Sequence, residues 1–356
     1  MQPQQPAPRA VPESAETLRP TASAVGAPDS PPAGEAGTSD EPNISDTAGT
    51  TGNVTYSATV DGDSAAPGES GTTDRARPQE RHDDTPHPAE WIDIAVVQFG
   101  PYTDKAANLA ALREHVRAAT EHGAKVVVAP EYSMFAVTRL DERVVAAAEP
   151  LTGEWVSELR GLAAEFDVHV VAGVVETPGG EDAGRIYNTL VAVGPDAEFA
   201  AIYRKVHLYD AFGFRESEVV APGPIAEPAT FTVDGVVFGL QTCFDLRFPE
   251  SCRRVAAAGA HVLLLPAQWI PGPGKLDQWT TLLRARAIEN TVYVAAADHC
   301  APRGAGASMI VDPSGTLLAE LTDSPGIAGS RVDLDHLRRV RATNPSLSLR
   351  RFTIEP

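Results

Sequence analysis

From residue 91 onward, short apolar runs alternate with segments whose apolar residues recur at helical spacing. The runs 92–99, 125–129 and 168–175 read as buried strands, whereas 108–122 and 155–166 read as amphipathic helices. Two further runs, 187–193 and 198–203, flank Gly194-Pro195-Asp196 and read as a hairpin. Val236, Val237 and Phe238 then begin a strand that turns sharply into a helix over 248–258. A strand over 261–265, a helix over 276–290 and a strand over 291–297 follow. Runs at 309–312 and 316–320 flank the turn Pro313-Ser314-Gly315. This mixture of βα alternation and hairpins predicts an α/β fold: a mixed sheet covered by helices, with its second apolar face left for another sheet.

The pattern stops before Trp91. Residues 1–90 are dominated by Pro, Ala, Gly, Ser, Thr and acidic residues, with almost no cluster able to seed a core, so they are expected to be a disordered low-complexity extension. The folded domain is expected over 91–356. Of 356 residues, 43% are hydrophobic, which is enough for a sizeable core. A formal charge of −19 argues against a nucleic-acid partner or an anionic membrane surface. No run approaches the roughly 20 apolar residues that cross a bilayer. Three cysteines and no apolar leader after Met1 predict reduced thiols and a cytoplasmic location.

Three residues bear candidate chemistry. Cys243 sits where the strand turns into the helix, a junction that exposes a side chain beside unpaired backbone N–H groups; the alternative is an apolar filler. Glu131 follows the apolar strand Val126-Val127-Val128-Ala129 and Pro130, at a strand's carboxyl end. Burial there is expected to raise its pKa and suit it to take a proton from a thiol, unless it merely caps the next turn. Lys205 lies on an alternating segment that turns it and His207 to one face. A lysine directed inward would lower a thiol's pKa and hold an oxyanion, whereas an edge-strand lysine facing water is the ordinary case.

Pro130-Glu131-Tyr132, then the run from Arg204 through Lys205 to Asp210, then the run from Thr242 through Cys243 to Glu250, resemble in that order the three signature segments of the carbon–nitrogen hydrolase family, the nitrilase superfamily. The resemblance runs from Trp91 to about Phe352. It implies a four-layer α-β-β-α sandwich, pairing through a helical face into a homodimer or higher homo-oligomer, and a Glu-Lys-Cys triad on Glu131, Lys205 and Cys243. Glu131 would take the thiol proton, and the oxyanion would rest on Lys205 and the Phe244 backbone N–H. A thioester would then be hydrolysed without metal or organic cofactor. Glu216 matches a second glutamate that positions the lysine or substrate; the alternative is a loop carboxylate facing water.

The stretch around Cys243 is similar to the ω-amidase-like branch, which implies amides of small dicarboxylic acids. Arg247, one turn beyond Cys243, is expected either to grip a substrate carboxylate with its planar fork or to brace the turn against Asp245 or Glu250. Gln268 and Trp269 are expected pocket walls, with core packing the alternative for Trp269. The loops 210–218 and 271–275 are expected to shape the pocket. His207 reads as a structural hydrogen-bonding histidine, and Arg284, Arg286 and Glu289 as bracing ion pairs. The expected activity is hydrolysis of a small linear carboxamide to acid and ammonia. Two alternatives use the same triad, an N-carbamoyl amine hydrolase and a nitrilase; a third is a silent scaffold recruiting partners through residues 1–90.

Overall fold

A computed structural model of the chain describes residues 53–56, 91–179, 182 and 184–354. Its first sheet has seven strands: β1 (Asn53–Tyr56), β2 (Trp91–Gln98), β3 (Val126–Val128), β4 (His169–Glu176), β5 (Tyr187–Val193), β6 (Phe199–Arg204) and β13 (Gly326–Asp333). They lie in the order β1-β13-β2-β3-β4-β5-β6. The second sheet holds β7 (Thr230–Val233), β8 (Val236–Leu240), β9 (Val262–Pro266), β10 (Tyr293–Ala297), β11 (Met309–Val311) and β12 (Leu317–Glu320), in the order β12-β11-β10-β9-β8-β7. In each sheet the central strands run parallel; antiparallel pairs flank them, except that the edge strand β1 runs parallel to β13.

The period-two alternation of side chains explains why the central strands are almost wholly apolar. In β2, Ile94 and Val96 face the second sheet while Ala95 and Val97 face the helices α1 (Lys105–Glu121) and α3 (Glu154–Glu165). In β9, Leu264 faces the first sheet. Leu263 and Leu265 face α4 (Pro249–Ala257) and α5 (Lys275–Asn290). Both faces of the central strands of each sheet are therefore buried, and the result is the α-β-β-α sandwich. Two further helices, α2 (Glu142–Ala147) and α6 (Leu334–Thr343), complete the described fold. Among the described residues no helix is long and apolar enough to cross a membrane.

The elements expected from the apolar pattern form close to their expected bounds. Four elements were not expected: β7, β13, α2 and α6. A fifth is β1, inside the segment to which the sequence pattern assigned no fold. Asn53–Tyr56 pairs in parallel with residues 326–329 of β13, and the Thr55 hydroxyl donates to the Glu320 carbonyl at 3.3 Å. A short β-prone run satisfies its own backbone on a sheet edge without any apolar cluster of its own. The rest of the expected disordered extension lies outside the described residues.

The two sheets bring three strand ends to one rim. Glu131 follows β3, Lys205 follows β6 and Cys243 follows β8, so two residues from one sheet meet one from the other. Gly173 in β4 is what lets the chain turn closely after Pro130. A Cβ there would lie 2.4 Å from the Tyr132 nitrogen and 2.7 Å from the Glu131 Cα.

Candidate active site

The turn that carries the thiol is built by hydrogen bonds from every side. Cys243 has φ 45°, the left-handed region that a residue with a Cβ rarely adopts, and it begins a 3₁₀ turn, Cys243–Arg247. Asp245, fully buried, holds the turn closed. Its carboxylate accepts from the Thr242 N–H at 3.0 Å, the Tyr203 hydroxyl at 2.7 Å and the His207 imidazole Nδ1 at 2.7 Å. Thr242 Oγ1 donates to the Pro266 carbonyl at 2.9 Å, and Arg286 donates to the Leu246 carbonyl at 3.0 and 2.8 Å. The His207 backbone N–H also donates to the Asp245 carboxylate, at 3.3 Å, so Asp245→Ala strips four donors of one acceptor. It is expected to cost about 3 kcal/mol in urea unfolding, with lost activity because the turn relaxes; wild-type stability in that variant would refute this account of the turn.

Cys243, Glu131, Lys205 and Glu216 line one cavity of about 230 Å³. Lys205 Nζ donates to Glu131 Oε1 at 2.9 Å and to Glu216 Oε2 at 2.9 Å, and all three side chains are buried. Asn188, on β5, donates to Glu131 Oε1 at 2.6 Å and to Glu216 Oε1 at 3.3 Å. The Gln268 N–H reaches Glu131 Oε2 at 2.7 Å, while Tyr132 Oη and the Tyr209 N–H donate to Glu216. Both carboxylates are thus satisfied before any ligand enters. Glu216 is the buried member of the expected set that joins the cluster, and its reading as a water-facing carboxylate is excluded.

The charges of the cluster correct two expectations. Burial alone would raise the Glu131 carboxyl, but the Lys205 ammonium and the hydrogen bonds from Lys205, Gln268 and Asn188 outweigh it and hold its pKa below the usual range. Burial also opposes the charged lysine. Glu131 and Glu216 overcome it and hold Lys205 well above the ordinary value. The Cys243 thiol is pushed well above its ordinary value by burial and then by the Glu131 charge, against the opposing pull of Lys205. The resting site is therefore a neutral thiol facing a carboxylate, not a preformed thiolate. Behind it, burial lowers His299 to about 4 and keeps the imidazole neutral; its Nε2 lies 2.6 Å from the Glu131 carbonyl oxygen, which can only accept, so the single ring proton sits on Nε2.

The remaining candidates divide. Phe244 lines the cavity immediately after Cys243, in the first turn whose N–H groups have no partner one turn back. Trp269 also lines it, and packs on Trp279 at 5.2 Å, so it serves both wall and core. Gln268 contributes through its main chain: its carbonyl accepts from the Cys243 thiol at 3.7 Å, while its amide turns away to the Val137 carbonyl at 3.2 Å. Arg247 is not on the cavity wall. Its guanidinium lies over the Trp269 ring at 4.8 Å and donates to Gln278 Oε1 at 2.7 Å, and it pairs with neither Asp245 nor Glu250. Asp245 is already occupied by four other donors, which removes that brace. Arg286 pairs with Glu289 as expected, whereas Arg284 donates to the Gly315 carbonyl.

Asn188, Tyr132, His299 and Lys275 were missed by the sequence reading. Asn188 sits in an ordinary strand context, and the cross-strand register carries it to the carboxylates; Tyr132 lies in the turn after Pro130 with φ 56°, a backbone state the sequence pattern does not announce. Lys275 begins α5, within the loop region expected to shape the pocket, and lines the cavity.

Comparison with known proteins adds the family. The sequence model described as carbon-nitrogen hydrolase matches residues 93–342. A hydrolase of Mycobacterium tuberculosis is 40% identical over 264 residues, covering 70% of this chain and 91% of that protein. The deaminated glutathione amidase of Escherichia coli O157:H7 is 35% identical over 259 residues, covering 73% and 97%. Among solved structures, a mutant amidase from Nesterenkonia sp. AN1 carries the acetamide moiety of fluoroacetamide covalently added at its active-site cysteine. It superposes with TM-score 0.58 at 29% identity, over 72% of this chain and 96% of that one.

Proposed function

The chain belongs to the carbon–nitrogen hydrolase family, and from that premise we propose that it is a thiol amidase that cleaves a small carboxamide through a cysteine thioester. The observation that carries the reading is the neutral Cys243 thiol facing an ionised, fully hydrogen-bonded Glu131 with an ammonium beside both. In the first step Glu131 takes the thiol proton as sulfur attacks the amide carbonyl, and the negative charge moves to the carbonyl oxygen. Lys205 Nζ and the Phe244 N–H stabilise that oxyanion. As the intermediate collapses, the carbon–nitrogen bond breaks, Glu131 returns its proton to nitrogen, and ammonia or an amine leaves.

The second half repeats the first with water. Glu131 takes a proton from water, hydroxide adds to the thioester, and the carbon–sulfur bond breaks. The acid departs, and Glu131 returns the proton to sulfur. Glu216 and Asn188 position the ammonium and the base throughout. The amidases among the relatives, and the covalent adduct on the Nesterenkonia cysteine, support the thiol as nucleophile and the amide as substrate class. The relatives named deaminated glutathione amidase support an amide substrate, and a cavity of about 230 Å³ suits a short chain.

The test offers succinamate, N-carbamoyl-β-alanine and 3-cyanopropanoate, all bearing a carboxylate, at matched concentration and measures ammonia. Wild type should release it fastest from the amide, and Cys243→Ala should release none. Full activity in Cys243→Ala, or release from the carbamoyl compound or nitrile alone, would sink the amidase reading.

A further inference from the structure

Lys275 is placed where a cation is costly in three ways. It is 7% exposed, it is the first residue of α5, where the helix dipole is already positive, and it lies beside the Arg247 guanidinium. Burial, and then Arg247, push its pKa down. Among the described residues no carboxylate pairs with it. Its partners are the Tyr209 hydroxyl at 2.9 Å and the faces of Phe212, Tyr209 and Trp269, at 4.2, 5.0 and 5.2 Å from Nζ. The rings offset part of the desolvation, but they supply no negative charge. The neighbouring Arg247 is equally short of an anion, and its buried Nε has no hydrogen-bond partner.

We infer that Lys275, and not Arg247, is the specificity-determining residue that selects amides bearing a carboxylate. The inference rests on the amidase reading of the same cavity. Lys275 lines that cavity with Cys243, whereas Arg247 is not one of its lining residues and adds its positive charge from over the Trp269 ring at 4.8 Å. A ligand carboxylate entering between Lys275 and Cys243 supplies the charge that the protein lacks there. Phe212, 63% exposed on the 210–218 loop, lies over both cations and shields the pair from water. The carboxylate comes from the acyl chain or from the leaving amine, and matched substrates separate the two.

The experiment compares succinamate with butyramide for the acyl side, and N-butyrylglycine with N-ethylbutyramide for the amine side. Each is assayed with wild type, Lys275→Met and Lys275→Arg. In one pair wild type should prefer the carboxylate by about 100-fold in kcat/KM, chiefly through KM. Lys275→Met should collapse that ratio, whatever common loss it imposes on both members, and Lys275→Arg should restore part of it. Binding of the preferred carboxylate to Cys243→Ala, followed by calorimetry with and without Lys275→Met, gives a readout independent of turnover. No preference in either pair, or equal losses for both members in Lys275→Met, overturns the inference and leaves the amidase standing if butyramide is cleaved. Lys275-dependent binding without turnover of any amide does the reverse.

Discussion

Lys205→Met is expected to remove activity and to destabilise the fold in a way that acid reverses. The lysine is proposed to hold the oxyanion, and loss of one such donor lowers kcat by about 10²–10³. Its structural role is larger still. It is the cation between two buried carboxylates, both of which also touch Asn188, so without it Glu131 and Glu216 face each other uncompensated. Removing one partner from a buried ion cluster costs about 3–5 kcal/mol at neutral pH.

The pH dependence of that loss has a definite sign. Two buried carboxylates that share the Asn188 amide, once stripped of the ammonium they also shared, are not expected both to remain ionised, so in the variant the pair should take up a proton more readily than in the unfolded chain. Its folded-state pKa is raised, and the stability deficit is therefore small at low pH and grows as pH rises through that value. Wild type behaves oppositely. Its Glu131 is depressed, so its contribution is present above the ordinary carboxylate range and is lost as pH falls through the folded value. Urea unfolding of both proteins at pH 5 and pH 8 checks this: the gap should be several kcal/mol at pH 8 and clearly smaller at pH 5. Lys205→Arg retains the charge and should recover stability more than activity. A gap that does not change with pH would show that the two carboxylates are not coupled through Lys205.

The same cluster explains what the chain's pattern made legible. Glu131, Lys205 and Cys243 each follow an apolar strand, and β2, β3, β4, β8 and β9 are visible because both faces of each are buried. β13 was invisible because Gly326, Gly329, Ser330 and Arg331 dilute its apolar residues, and it is a strand chiefly through its register with β2. α6 buries only Leu337, so no apolar stripe announces it. The pKa of Glu131 ran opposite to expectation for a related reason. Desolvation can be inferred from an apolar strand, but the donors that defeat it come from β5, from the residue after β6 and from the chain beyond β9. Arg247 shows the limit of linear spacing: one turn from the thiol in sequence, it stands outside the cavity, while Lys275 stands on its wall.

The protonation order of the thiol and the carboxylate should be readable in rate profiles. Since Cys243 lies well above its ordinary 9.0 and Glu131 below its ordinary 4.5, the reactive pair keeps one proton on sulfur throughout the neutral range. Wild-type kcat/KM for an amide should fall only below the ordinary carboxylate value and stay flat from about pH 5.5 to 8.5. Alkylation of Cys243 by iodoacetamide should be flat over the same range, because the carboxylate removes the proton during attack. Glu131→Gln changes both profiles. It removes the proposed base and is expected to lower kcat/KM by about 10²–10⁴. It also removes the negative charge that raises the thiol while leaving Lys205, so the thiol pKa falls. Alkylation in that variant should therefore acquire a thiolate-like rise with pH, approaching tenfold per unit below the thiol pKa, even as amide hydrolysis stays low. A wild-type profile with an ascending limb between pH 6 and 8 would mean that a preformed thiolate attacks. A Glu131→Gln variant with more than a tenth of wild-type activity would mean that another group is the base. In either case the buried carboxylate would be a spectator of the reaction it faces.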